Sequence, residues 1–118
     1  MRHPAISPDG KTIAFSYQGD IFTVPSSGGT AKQITSNAAF DSYPVWSPDG
    51  NHIAFASNRE GSIDVWVMDA NGGIPKRVTT NSGSEYPLRW KDNYTIMFKA
   101  SIMPTAKSII FAGSYPQV

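Results

Sequence analysis

Hydrolytic chemistry needs a nucleophile, a base and an orienting group brought together. Among the chain's serines are Ser84, Ser108 and Ser114, and His3 and His52 are the only histidines. No Gly-x-Ser-x-Gly elbow surrounds a serine, and neither histidine has a serine-and-acid setting, so no catalytic residue is assigned. His52 is expected to face solvent at a strand end. Asp9, Asp49 and Asp92 recur at equivalent places. Recurring acids can ring a pore or bind calcium, but calcium wants six or more oxygens and no local cluster supplies them. The aspartates are therefore read as turn residues that accept hydrogen bonds from nearby backbone N–H groups, and neither a metal nor a cofactor ligand is assigned. Tyr43, Trp46, Tyr86 and Trp90 could form a peptide-binding surface. Sheet packing uses the same residue types, and packing is the expectation. Asn93-Tyr94-Thr95 fits the N-glycosylation acceptor pattern, but it falls in a tight turn with no secretory context and is discounted.

The elements that position these residues come from an internal repeat. Ser7-Pro8-Asp9-Gly10 returns as Ser47-Pro48-Asp49-Gly50, and the same 40-residue shift carries Pro4 onto Pro44 and Ile13-Ala14-Phe15 onto Ile53-Ala54-Phe55. Asp20 to Val24 then matches Asp64 to Met68, Gly28-Gly29 matches Gly72-Gly73, and Gln33-Ile34-Thr35 matches Arg77-Val78-Thr79, now 44 apart. Four extra residues therefore lie between Phe55 and Asp64, and Asn58 to Ser62 reads as a longer turn. A third copy begins at Tyr86-Pro87, with Ile96-Met97-Phe98 matching Ile53-Ala54-Phe55. Asp92-Asn93 stands where Asp49-Gly50 stood, and Asn is the best non-glycine substitute at a left-handed turn position.

Turn chemistry cuts each copy into four short segments. Proline presets φ in Ser-Pro-Asp-Gly, and glycine exits the turn without steric penalty. The segments are Ala5 to Ser7, Thr12 to Ser16, Ile21 to Val24 and Lys32 to Thr35, then Val45 to Ser47, His52 to Ala56, Val65 to Met68 and Lys76 to Thr79. They are rich in strand formers, and no window has helical periodicity. Segments two and three are apolar on both faces, which implies a sheet covered on both sides. Segment four is polar and basic, as suits an outer edge. An all-β fold follows, a β-propeller fragment of four-stranded antiparallel blades: blade one at about 3–42, blade two at about 43–85 and an incomplete blade three at about 86–118. The third copy is expected to carry a long insertion, Ala100 to Ser114, with a third strand starting at Tyr115-Pro116-Gln117-Val118.

Composition removes other classes. Of 118 residues, 40% are hydrophobic and 16% charged, with net charge +1, which is too apolar for disorder. Lys and Arg occur without a basic run, so no nucleic-acid surface is expected. No stretch approaches the ~18 apolar residues of a membrane span. There is no cysteine, so the compartment is unreadable from thiols. Met1-Arg2-His3-Pro4 has no apolar run of the kind a signal peptide needs.

The strings Ser7 to Phe15 and Trp46 to Arg59 resemble the PD-type (TolB-like) propeller repeat. That repeat occurs in the TolB translocation protein, in the N-terminal propellers of tricorn-type serine peptidases and in some prolyl-oligopeptidase relatives. Pro4-Ala5-Ile6 before the motif, Gly19-Asp20-Ile21 after it and the irregular third copy make the chain most similar to the propeller of a bacterial tricorn-type peptidase. The resemblance implies a non-catalytic portion of a serine peptidase that guides or filters peptides and scaffolds a catalytic domain elsewhere. It implies alternatively a TolB-like interaction propeller, or the propeller of a prolyl-oligopeptidase relative. A periplasmic location is part of the same implication. Each blade hides its faces against neighbours, so Ile13, Phe15 and Phe22 are expected to form an uncovered surface. The partners expected there are remaining blades of a longer chain or other copies of this one, with a peptide or protein ligand besides.

Overall fold

The structure, a computed structural model, describes residues 2–36, 38–79, 84–101 and 109–114. The first sheet is β1 (Arg2–Ile6), β2 (Thr12–Tyr17), β3 (Asp20–Pro25) and β4 (Lys32–Gln33), antiparallel in that order. The second is β5 (Asp41–Trp46), β6 (His52–Glu60), β7 (Ser62–Asp69) and β8 (Lys76–Arg77), again in chain order. The third holds β9 (Ser84–Asp92), β10 (Thr95–Ser101) and β11 (Ile109–Ser114). Each copy of the repeat thus keeps its own sheet, as propeller blades do.

The repeated turn shows why its four residues recur. Ser7 Oγ donates to Asp9 Oδ1 at 2.6 Å, and the same oxygen accepts from Lys11 N at 2.9 Å. Thr12 N donates back to Ser7 Oγ at 3.0 Å. The second copy repeats this at Ser47, Asp49, Asn51 and His52 with distances of 2.6, 3.0 and 3.0 Å. Gly10 and Gly50 close the turns at φ 75° and 74°, a region costly for residues with a Cβ. A second repeated device holds the outer edge. Thr35 Oγ1 accepts from Ile21 N at 2.8 Å, and Thr79 Oγ1 accepts from Val65 N at 3.0 Å.

Strand alternation gives each sheet two chemically different faces. In the first sheet Ile13 pairs with Val24 and Phe15 with Phe22, while Ala14 opposes Thr23 on the other side. In the second, Ile53 pairs with Met68 and Phe55 with Trp66, while Ala54 opposes Val67. The small-residue side of the first sheet, Ala14 and Ile21 with Ile34, packs on Ile53, Phe55, Trp66 and Met68. The small-residue side of the second, Ala54, Val65, Val67 and Val78, packs on Trp90, Ile96 and Phe98 of the third. One bulky face meeting one smooth face is thus the rule at both seams. The bulky face of the first sheet meets no sheet among the described residues. Ile13, Phe22 and Val24 are half-buried, where Ile53, Trp66 and Met68 are buried. Phe15 is nonetheless buried, because Phe22 stacks on it at 5.7 Å and Tyr17 meets Phe22 edge-on at 5.9 Å.

Several sequence expectations need correcting. The stretch Asn58 to Ser62 is a hairpin extension: β6 runs to Glu60, Glu60 pairs with Ser62, and Gly61 forms the tip at φ 98°. The third strand of the last sheet is Ile109–Ser114, within what reads as an insertion, and it pairs with β10 from Thr95 to Ala100. Its Ile-Ile-Phe core has the strand propensity, but the anchors that mark strand three elsewhere, an Asp before and a double glycine after, are missing. Tyr115-Pro116-Gln117-Val118 lies outside the described residues. Asn93 is not among the residues with positive φ. The third turn is tighter than the others, and Asn93 Oδ1 instead accepts from Asp49 N at 2.9 Å, tying the second and third sheets together.

Candidate functional site

Strand one of each sheet carries a proline at one repeat position, Pro4, Pro44 and Pro87. The residues just before them are His3, Tyr43 and Tyr86. The structure aligns these three rings into a ladder. His3 stacks on Tyr43 with centroids 3.7 Å apart and planes at 22°. Tyr43 meets Tyr86 edge-on at 5.1 Å and 73°. The ladder crosses β1, β5 and β9, so all three sheets contribute one ring.

Backbone geometry sets the first two rungs. β1 slips register between Arg2 and Ala5, and β5 between Ser42 and Val45. These bulges put His3 at φ 50° and Tyr43 at φ 54°. A left-handed conformation costs a side chain-bearing residue about 1–3 kcal/mol and concentrates at functional positions. Two equivalent bulges that turn aromatic rings toward each other are therefore informative. Tyr43 keeps 41% of its surface exposed. Burial holds the His3 imidazole below its usual pKa, and the neighbouring Arg2 charge adds to this, so the rung favours the neutral, stacking form.

A cavity of about 250 Å³ opens beside the ladder. Its walls include Phe40, Tyr43 and Ile63, with Arg2 and Asn58 as polar lining. The longer β6–β7 hairpin supplies Asn58 and Ile63. Asn58 Oδ1 accepts from Phe40 N at 2.8 Å and so fixes the residue that leads into β5. A larger groove, about 1040 Å³, lies between the turn ends of the first two sheets. It is wide and polar, and its Asp9 and Asp49 carboxylates are held by their own turns. Their Ser7 and Ser47 hydroxyls, then backbone N–H groups, keep both below the usual carboxylate range.

The other residues singled out by type are dispersed. Trp46 Nε1 donates to Ala5 O at 2.9 Å and Trp90 Nε1 to Val45 O at 3.1 Å, so both tryptophans lock seams, as the packing expectation holds. Tyr43 and Tyr86 also pack across the seams, on His3 and on each other, with Tyr43 left 41% exposed. His52 does not simply face solvent. It is half-buried, stacks toward Trp90 at 6.4 Å and lies 3.4 Å from Asp69. Asp92 accepts from Tyr94 N at 2.8 Å, which lowers its pKa. Ser84 opens β9 opposite Ser101, Ser114 ends β11, and Ser108 lies outside the described residues. Among the described residues no three His, Asp or Glu side chains are grouped to hold a metal ion. Residue type marks two of the ladder's rings, Tyr43 and Tyr86, as candidates for a binding surface, but not His3 or the stacking that joins them. The signal that finds it is the alignment of the three prolines, one residue further on.

Comparison with known proteins agrees with the geometry. Residues 1–111 match the tricorn protease N-terminal β-propeller domain. Tricorn protease homolog 1 of Streptomyces coelicolor is 35% identical over 72 residues, which cover 61% of this chain and 7% of that protein. The crystal structure of TolB from Acinetobacter baumannii superposes with a TM-score of 0.79 at 26% identity, covering 96% of this chain and 29% of that one. The crystal structure of the tricorn protease gives a TM-score of 0.61 at 18% identity, over 82% of this chain and 10% of that one, a likeness of fold. The chain spans less than a third of the length of each of these three. Three sheets with a repeated seam, and a family match over nearly the whole sequence, lead to one statement: the chain belongs to the tricorn protease N-terminal β-propeller family.

Proposed function

We propose that these sheets are a non-catalytic part of a serine peptidase, where they guide or filter peptides and scaffold the enzyme. The observation that carries the reading is the His3–Tyr43–Tyr86 ladder, a stacked aromatic edge crossing all three sheets and left partly open. Extended chains bind such edges because rigid rings offer large contact area at low entropic cost. The family match supports the peptidase setting. A TolB-like role, with a protein partner on the same ladder, is the second reading, supported by a TolB homolog of Chlorobium luteolum that is 36% identical over 62 residues. The scaffolding part of the proposal places another blade, from the same chain or a second copy, on the bulky face of the first sheet.

The test is peptide affinity in the intact protein. Tyr43→Gly removes the central ring and keeps a residue at home at φ 54°. It should weaken binding of an unstructured peptide about tenfold, as loss of one anchoring aromatic commonly does. Equal affinity in parent and variant would reject the reading.

A further inference from the structure

The four residues that blade two has and blade one lacks are not needed for the fold. The first sheet turns directly from β2 to β3 through Gln18-Gly19 and packs well. In the second sheet the added length carries β6 to Glu60 and starts β7 at Ser62. Its consequences lie outside the sheet. Asn58 accepts from the backbone of Phe40, and Ile63 lines the cavity together with the ladder rings. Arg59, on the same extension, pairs with buried Asp41 at 2.9 Å and lies over the Phe55 and Trp66 rings, which anchors the hairpin's base. A departure from the repeat has thus built and braced one wall of a cavity.

We infer that the cavity between Phe40, Tyr43 and Ile63 is a subsite for one large apolar side chain of a peptide lying along the ladder. Size supports this. Pockets for whole small ligands begin at about 300 Å³, and about 250 Å³ suits a single side chain with the backbone outside. Chemistry supports it too. Phe40 is 52% exposed and Tyr43 41%, so two large rings are left in water at one spot unless something covers them. Charge excludes the opposite class. Among the described residues Arg2 lines the cavity and no Asp or Glu does, so a lysine or arginine side chain entering it meets a like charge and no acid among them. The subsite would sort peptides by one residue: Phe, Tyr, Leu or Met retained, and Lys, Arg or Gly passed. This inference rests on the peptide-guiding reading above.

The test uses the intact protein and three hexapeptides of glycine and serine whose third residue is Phe, Gly or Lys, titrated by NMR. The Phe peptide should bind about tenfold tighter than the Gly peptide, the discrimination one buried apolar side chain supplies. The Lys peptide should bind no tighter than the Gly peptide. Phe40→Ala and, separately, Ile63→Ala should erase the Phe preference and leave the Gly peptide's affinity unchanged. Equal binding of all three peptides to the parent overturns the subsite and leaves the guiding role standing. Binding of none overturns both. A Phe preference that survives both substitutions overturns the assignment to this cavity.

Discussion

Trp90 donates its indole N–H to the carbonyl of Val45 across a sheet seam, at 3.1 Å, in the same way that Trp46 donates to Ala5 one seam earlier. Sheets that bury apolar faces could slide on one another, since the hydrophobic effect has no direction. A directed hydrogen bond from a buried ring fixes the offset. Trp90→Phe keeps most of the apolar area and leaves the Val45 carbonyl without this donor. A loss of roughly 1–2 kcal/mol is expected, read as a lower urea midpoint in the intact protein. An unchanged midpoint would mean the indole bond does not hold the seam.

At the repeat position of those tryptophans the first sheet has Ile6, 61% exposed. With Ile13, Phe22 and Val24 half-buried on the same sheet, the 118-residue chain is expected to self-associate at micromolar concentration and bind a hydrophobic dye. Phe22→Lys should reduce both. Light scattering that shows a dye-free monomer for the parent chain would count against a docking role for this face.

Charge at the outer edge of the first sheet is less well balanced than at that of the second. Asp64 faces the Arg77 guanidinium at 2.6 Å, while the equivalent Asp20 faces the neutral amide of Gln33 at 3.1 Å. Burial, and then the negative charge of Asp41, raises the Asp20 pKa above the ordinary value. The folded state therefore holds a proton that the unfolded chain releases, so Asp20's contribution to stability should fall as pH rises from about 4 through the raised value, while the lowered His3 pKa acts in the opposite sense up to about 6.5. Gln33→Arg supplies the missing cation and should flatten that fall. Urea midpoints measured from about pH 4 to about pH 7 with the same slope for parent and variant would contradict this.

Gly50 sits at φ 74°, and a Cβ there would meet only Pro8 Cδ at 3.8 Å. Space is sufficient, so conformation alone should set the cost. Gly50→Ala is expected to lose about 1–2 kcal/mol, and Gly50→Asn less. An alanine variant as stable as the parent would show that the turn relaxes freely.

The sequence carried the sheets further than the site. Ser-Pro-Asp-Gly and the double glycines marked turns because a positive φ or a preset proline leaves a residue signature. Lys32 and Lys76 marked outer edges for the same kind of reason. Ile109–Ser114 was hidden because its neighbours lack those markers. The hairpin extension at Asn58 to Ser62 looked like a turn because polar residues in a protruding hairpin and in a loop are alike in composition. The ladder depends on two bulges, and nothing in the residue types at His3 and Tyr43 announces φ near 50°. Only tertiary packing reveals that rings separated by about forty residues stack.

The most direct measurement is an NMR titration of the intact protein with an unstructured peptide, following the ring protons of Tyr43 and Tyr86. They should shift together, saturate at one affinity and show contacts to peptide protons. Ring signals that stay fixed while those of Pro8, Pro48 and His52 move would place binding in the groove between the turn ends and contradict the account.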